Sequence, residues 1–187
     1  MTTYSLEQSW FPHFFYSRRD SAPFWLAIRL YVGYEWLLAG IEKLMSPAWI
    51  GGNAGAAMNG FVQGALHKTA AFCTNASACH PDVQDWYASF LNSAVLPHAV
   101  AWSYAITVGE LLVGLGLIFG CLTGLAALFG VFMNLNFMLA GTVSVNPILA
   151  TLGIFLVLAW RVAGYWGLDR FVLPRLFPRL HHHPPHR

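Results

Sequence analysis

Charged side chains interrupt three of the most apolar stretches of this chain. Glu110 lies inside TVGELLVGLGLIFG (107–120), Arg29 lies inside FWLAIRLYVGYEWLLAGIEKL (24–44), and Arg161 lies near the end of a third apolar stretch. A charge at the depth of a bilayer core is costly, so it normally faces a partner or a polar cavity rather than lipid. A carboxylate in such a place can also take up and release a proton. These three residues are therefore the first candidates for chemistry.

The composition is that of a membrane protein. Hydrophobic residues make up 57% of the chain and charged residues only 10%, against roughly 25% charged in a soluble domain. We predict one integral membrane domain over residues 1–187, with the lipid bilayer as its first partner. The net charge of +2 and the lack of a basic cluster exclude nucleic acid as a partner. The first residues also lack the basic start and apolar core of a secretory signal.

Four apolar stretches have about the length that crosses a bilayer as a helix, which is ~20 residues. The predicted spans are residues 23–44, 98–119, 122–141 and 148–166. Gly33 and Gly40 are seven residues apart, so they form one helix face suited to close packing against a neighbour. The predicted fold class is all-α, an integral membrane four-helix bundle.

The remaining segments are predicted to lie at the membrane surface. Residues 46–97 form a glycine- and proline-punctuated outer loop, in which residues 54–66 and 81–95 show short helical patterns. The N-terminus places aromatic residues next to basic ones, which is typical of the membrane–water interface. We therefore expect short interfacial helices in the outer loop and at the N-terminus.

The basic residues predict the orientation. They cluster beside the first span, at Arg18 and Arg19, and in the tail 167–187, while the loop 46–97 carries little beyond Lys68. By the positive-inside rule, both termini of a multi-pass protein of the cell inner (plasma) membrane are cytoplasmic. The outer loop then lies in an oxidising compartment, where Cys73 and Cys79 are candidates for a disulfide.

Counting residues from the predicted cytoplasmic ends of the spans places Arg29, Glu110 and Arg161 in a similar layer. The structural interpretation is an ion-pair network that fixes the bundle, since an unpaired charge there costs several kcal/mol. The functional interpretation is a polar pocket for a quinone head group or another small polar molecule, with Glu110 as the catalytic group. Its ligand-binding residues are predicted to be Arg29, Glu35, Trp36, Asn134 and Arg161.

Other cofactors receive less support from the sequence. His98 is at the edge of the second span and no histidine lies in the interior of any of the four, which argues against a bis-histidine haem. The tail HHHPPHR has metal-binding side chains, but it is typical of a solvated tail or a tag remnant, and no metal site is predicted.

The chain resembles the DoxX family. The residues that carry the resemblance are Arg29 and Gly33, Gly40-x-x-Lys43-Leu44, Glu110 within GELLVGLGLIFG, and AGYWGLDRFVLP near the end. Within the family, the chain is similar to proteins related to DoxD, the small membrane subunit of thiosulfate:quinone oxidoreductase. The resemblance implies oxidation of thiosulfate to tetrathionate with electrons passed to quinone. A soluble domain like DoxA, the second subunit of that system, is not recognised here, so a partner subunit is expected.

Two functions remain open from the sequence. The first is a membrane subunit of a quinone-linked oxidoreductase. The second is a non-catalytic accessory subunit that packs within a larger respiratory or photosynthetic complex. A small transporter is disfavoured because no inverted repeat or broken helix is evident.

Overall fold

The computed structural model describes residues 19–72 and 80–176, and every regular element within them is helical. This confirms the all-α prediction for that part of the chain. Short helical turns occupy Arg19–Ser21, Ala70–Phe72, Leu91–Val95 and Leu96–His98. The α-helices, in chain order, are α1 (Ala22–Leu44), α2 (Ala56–Leu66), α3 (Asp85–Phe90), α4 (Ala99–Phe119), α5 (Thr123–Leu139), α6 (Asn146–Leu158), α7 (Trp160–Ala163) and α8 (Asp169–Leu176).

Two helical segments are long and apolar enough to cross a membrane: Arg19–Leu44 and Asp85–Phe119. Helices α5 and α6 are apolar but shorter, with 17 and 13 residues. The predicted span 148–166 differs most from the structure, because α6 ends at Leu158 and the chain turns at Ala159 before α7. After this turn the chain folds back, so that Asp169 reaches the connection between α4 and α5.

Glycines hold α1 and α4 in backbone contact over much of their length. A Cβ atom on Gly114 would lie 2.6 Å from the backbone nitrogen of Leu37, and one on Gly40 would lie 2.9 Å from Leu111. Gly33 makes the matching approach to Leu117 and Ile118. The two helices are antiparallel, and their register is fixed by these contacts. The packing role predicted for Gly33 and Gly40 is confirmed.

Helix α5 packs along α6 in the same way, and the two pairs also touch each other. A Cβ atom on Gly153 of α6 would lie 2.7 Å from the side chain of Val131 on α5. Helix α5 also contacts α4, and α6 contacts α1. The side chains buried between the helices include Trp25, Trp36, Val113, Leu117 and Leu156.

A second apolar core lies where residues 45–72 and 80–98 cover one end of the long helices, which we call the loop end. Helix α2 and the segment around α3 bury Met58, Val62, Tyr87 and Leu91 against the start of α4. The Lys68 ammonium group donates a hydrogen bond to the carbonyl oxygen of Gly141, at 2.6 Å. The predicted short helices of the loop are thus present as α2 and α3. The opposite end of the long helices, beside α8, is called the terminal end.

The α1–α4 contact predicts a selective effect of adding one methyl group. Gly114→Ala should destabilise the protein by about 1–3 kcal/mol, because the new Cβ meets backbone atoms of Leu37 that cannot rotate away. Thermal unfolding of the purified protein in detergent measures the change.

Gly60→Ala is the matched control, because Gly60 lies inside α2 and no atom lies within 4 Å of its added Cβ. It should leave the stability unchanged or raise it by up to about 1 kcal/mol, since a helix interior favours alanine over glycine. Equal effects of the two substitutions would contradict the close contact.

Candidate functional site

Glu110 forms a buried ion pair with Lys43. The Glu110 side chain is almost fully buried on α4, and its Oε2 atom lies 2.8 Å from the Lys43 Nζ atom at the end of α1. The Lys43 side chain is 20% exposed and its Nζ lies 5.1 Å from the centre of the Trp49 ring. The pair therefore joins the interior to the loop end: the Glu110 carboxylate is enclosed, and the Lys43 side chain is partly exposed.

Two hydroxyl side chains extend the polar face of α4 from Glu110 toward the loop end. Ser103, Thr107 and Glu110 follow the i, i+4, i+7 spacing that places residues on one helix face, and all are buried. The Thr107 hydroxyl donates to the Ser103 carbonyl oxygen at 2.8 Å. The Ser103 hydroxyl has no hydrogen-bond partner within the described residues.

Asn134 approaches the same layer from α5. One turn before it, Gly130 packs against Trp36 and Val113, so this part of α5 faces α1 and α4. Helices α4 and α5 are antiparallel. A step of one turn back along α4, from Val113 to Glu110, therefore has the same direction as a step of one turn forward along α5, from Gly130 to Asn134. Glu110 and Asn134 therefore lie at a similar level of the interior. We call Lys43, Ser103, Thr107, Glu110 and Asn134 the polar layer.

Asn134 has unused hydrogen-bonding capacity. Its side chain is fully buried, and neither its amide oxygen nor its amide nitrogen has a partner within residues 19–72 and 80–176. Leaving one such group unpaired costs about 1–3 kcal/mol, and buried polar groups are normally satisfied by protein, by water or by a ligand. Beside an ion pair, the polar layer therefore offers the unused donor and acceptor groups of the Asn134 amide in addition to the unpaired Ser103 hydroxyl.

An aromatic cavity adjoins the polar layer on the side of the loop end. It has a volume of about 120 Å³ and lies between α2, the segment around α3, α4 and α5. Ile106 lines it one turn before Glu110, while Met133 and Phe137 line it on either side of Asn134. The polar layer and the cavity are thus neighbours along the same two helices.

Arg29 lies elsewhere, at the terminal end. It is 1% exposed, and its Nη2 donates to the carbonyl oxygen of Trp166 at 3.2 Å. The guanidinium group occupies the space that a side chain on Gly120 would need. Gly120 follows Glu110 by ten residues on α4, which corresponds to roughly 15 Å along a helix axis. Arg29 therefore does not share the layer of Glu110.

Asp169 supplies the negative charge at the terminal end. Its two carboxylate oxygens accept hydrogen bonds from the backbone N–H groups of Leu122 and Thr123, at 2.5 and 2.9 Å. This caps the start of α5, where free N–H groups favour an anion. Arg29 and Asp169 are both buried in this region, and together they attach the chain beyond α7 to the α4–α5 turn.

The predicted convergence of Arg29, Glu110 and Arg161 is therefore wrong. The described structure pairs Glu110 with Lys43, and Arg161 is exposed, with its guanidinium carbon 5.2 Å from the centre of the Trp160 ring. The depths were counted from helix ends, which assumes that the ends are level. The first turns of α1 instead extend past the end of α4, because the glycine contacts set the register.

The structure places the other predicted site residues in different parts of the fold. Asn134 lies in the polar layer, and Trp36 is buried between α1 and α5, where its indole nitrogen is 3.1 Å from the position of a Cβ on Gly130. Glu35 is half-buried on α1, about two turns before Lys43. Cys73 and Cys79 fall outside the described residues.

Lys43 is the main site residue that the sequence reasoning missed. It lies at the edge of the first span, where a lysine normally extends to the membrane surface. A signal was present, since Gly40 precedes it by three residues and packs against Leu111, next to Glu110. Ser103 and Thr107 had a similar signal in their helical spacing from Glu110.

The ion pair predicts strongly non-additive stabilities. Lys43→Met should destabilise the protein by about 3–5 kcal/mol, because it leaves the buried Glu110 carboxylate without its cation. Glu110→Gln in the same chain should recover much of that loss, because the unpaired charge is removed. Denaturant unfolding of the wild type, both single variants and the double variant measures the coupling; additive effects would contradict a buried pair.

The two arginines predicted for the site should behave differently. Arg29→Gln should cost about 3–5 kcal/mol, because it removes a buried cation from the region of Asp169. Arg161→Gln should change the stability by no more than about 0.5 kcal/mol, because the side chain is exposed. Thermal unfolding of the two variants in one detergent compares them, and a similar loss in both would refute the placement of Arg29.

Comparison with known proteins gives one family. The DoxX family matches residues 24–147, which extend from the start of α1 to the start of α6 and include Lys43, Glu110 and Asn134. Curated proteins and solved structures give no match. The matched region covers more than half of the chain, and its long apolar helices agree with the membrane location usual in this family. The chain belongs to the DoxX family and is a membrane protein.

Proposed function

We propose that this chain is the membrane subunit of a quinone-linked oxidoreductase, similar to the DoxD-like subunit of thiosulfate:quinone oxidoreductase. In this proposal it is a multi-pass four-helix bundle of the inner membrane with cytoplasmic termini. The loop end then faces the outside, and the polar layer lies in the outer half of the membrane. Glu110 and Asn134 keep the places they held in the sequence-based prediction, and Lys43 replaces Arg29 and Arg161 as the cation of the site.

One observation carries the proposal: a buried carboxylate with a surface-reaching partner lies beside an asparagine whose amide is unpaired. Reduction of a quinone to a quinol takes up two electrons and two protons. Asn134 has a free N–H donor for a carbonyl oxygen, and Glu110 is a proton-carrying group in the same layer. Lys43 links Glu110 to the loop end, because its ammonium group contacts the carboxylate while its side chain is 20% exposed.

The apolar interior of the chain supports a separation of the two halves of the reaction. Joining two thiosulfate ions as tetrathionate releases two electrons, but a dianion is strongly disfavoured in an apolar interior. Thiosulfate is therefore oxidised outside the helices, on a partner subunit. The described chain provides the site where the lipid-soluble acceptor, the quinone, is reduced. This division of labour suits a small, largely apolar chain.

Quinone reduction with thiosulfate as the donor tests the proposal. Membranes that contain the chain and its partner should reduce quinone on addition of thiosulfate. Glu110→Gln should lower the rate by about 100-fold or more, which is the usual contribution of a positioned proton donor. Glu42→Gln is the control, because Glu42 is an exposed carboxylate next to Lys43 and should leave the rate unchanged.

Protein amount and unfolding temperature of each variant show that the rates are compared between folded proteins. An unchanged rate in folded Glu110→Gln excludes the proposed proton-carrying role. Absence of thiosulfate-dependent reduction in the wild type, with the chain bound to a larger complex, favours the accessory-subunit interpretation instead.

A further inference from the structure

The aromatic cavity has a size and lining that suit one particular class of guest. Its volume of about 120 Å³ is close to the ~150 Å³ of an engineered apolar cavity that binds benzene. None of the twelve described residues that line it is charged. Half of them are aromatic: Phe61, Tyr87, Phe90, Trp102, Phe132 and Phe137. The cavity thus has room for about one six-membered ring and no charge to attract an ion.

The polar groups of the lining already bind each other. The Tyr87 hydroxyl lies 2.9 Å from the carbonyl oxygen of Asn136 and 3.2 Å from its side-chain oxygen. The Asn136 amide nitrogen donates to the carbonyl oxygen of Phe132 at 2.8 Å. The Trp102 indole nitrogen donates to the carbonyl oxygen of Ala94 at 3.1 Å. Each polar side chain of the wall is thus already hydrogen-bonded within the protein, so the guest it suits is uncharged.

The arrangement of the rings favours a planar guest. Phe90 meets Trp102 at 6.3 Å and 83°, and Phe61 meets Phe137 at 6.1 Å and 79°. Rings set nearly at right angles present both faces and edges, and aromatic groups prefer such edge-to-face and offset contacts. Met58 and Met133 complete the lining with flexible thioethers that adapt to a guest and contact aromatic rings well.

The cavity also opens to the surface of the molecule. Phe132 lines the cavity but is 62% exposed, and it lies in the second half of the apolar helix α5. Phe90 and Trp102 likewise reach from the cavity to the surface. Exposed apolar side chains around an opening are typical of a surface that contacts a membrane, and this mouth is the entry route proposed below.

We propose that the aromatic cavity is a binding site for the uncharged planar ring of a lipid-soluble molecule, which enters from the bilayer past Phe132. The site is distinct from the polar layer, and its occupation requires no electron or proton transfer. The inference goes beyond the proposed function and is tested without it, because binding alone is measured.

Methionine methyl groups provide reporters inside and outside the cavity. The protein carries ¹³C at its methionine methyl groups and is titrated in micelles with toluene. The ring current of bound toluene should shift the signals of Met58 and Met133 several times more than the signal of Met45, which is 79% exposed and does not line the cavity. Equal shifts at all three positions would show simple partitioning into the micelle and would overturn the proposal.

Two competitors test the chemical class. Methylcyclohexane matches toluene in size but is not planar, and benzoate is planar but charged. Displacement is followed on toluene that carries ¹³C in its methyl group, and neither competitor should displace it at concentrations where unlabelled toluene does. Displacement by methylcyclohexane as effective as by toluene would show a general apolar pocket for acyl chains, and displacement by benzoate would show an anion site; either result refutes the proposed class.

Filling the cavity provides the matched variants. Ile106→Trp places a large ring in the cavity wall and should abolish the shifts at Met58 and Met133. Val108→Trp adds the same ring to the exposed side of α4 and should retain them. Leu91→Phe is a smaller filling substitution and should weaken binding while the fold is kept. Undiminished shifts in folded Ile106→Trp and Leu91→Phe would contradict binding in this cavity.

Discussion

The direct contact between the backbones of α1 and α4 is the constraint on which the rest of the structure depends. At Gly33, Gly40 and Gly114, a Cβ atom would approach the facing helix within 2.6–3.0 Å. Contacts this close allow only one register, because a shift along the axis would bring larger side chains against the facing backbone. The register then decides which charged residues can meet across the interface.

That register accounts for the two separate charged regions. At the loop end it brings Lys43 of α1 to Glu110 of α4, and at the terminal end it brings Arg29 to Gly120. Each buried charge thus has an opposite charge in its own region, Lys43 for Glu110 and Asp169 for Arg29. The Lys43–Glu110 ion pair and the Coulombic attraction between Asp169 and Arg29 each lower the cost of burying a charge.

The sequence predicted what depends on local pattern. The helices were predicted from apolar length, the close packing of α1 from Gly33 and Gly40, and the buried position of Glu110 from the apolar residues around it. Asn134 was also identified correctly as an interior candidate. These features need only the sequence of one segment and the helical repeat of 3.6 residues.

What the sequence did not predict depends on how segments meet. Counting from helix ends placed Arg29 level with Glu110, although the glycine contacts place them roughly 15 Å apart. The turn at Ala159 left Arg161 exposed instead of interior. The aromatic cavity is assembled from four separate segments, so no single stretch of sequence shows it. The glycine faces of two helices should be paired before the depths of their charged residues are compared. Placing Gly40 against Leu111 in this way would have predicted the contact between Lys43 and Glu110.

The aromatic cavity lies directly beside the polar layer. Met133 and Phe137 line the cavity on either side of Asn134, and Ile106 lines it one turn from Glu110. A molecule with an apolar ring and polar substituents would therefore find apolar walls and unpaired amide groups within adjacent turns of the same helices. Quinones have this combination, because their carbonyl oxygens project from a flat uncharged ring. A polar layer alone would attract water, and the aromatic cavity alone would bind a planar ring whether or not that ring carries polar substituents; their adjacency favours a molecule that has both.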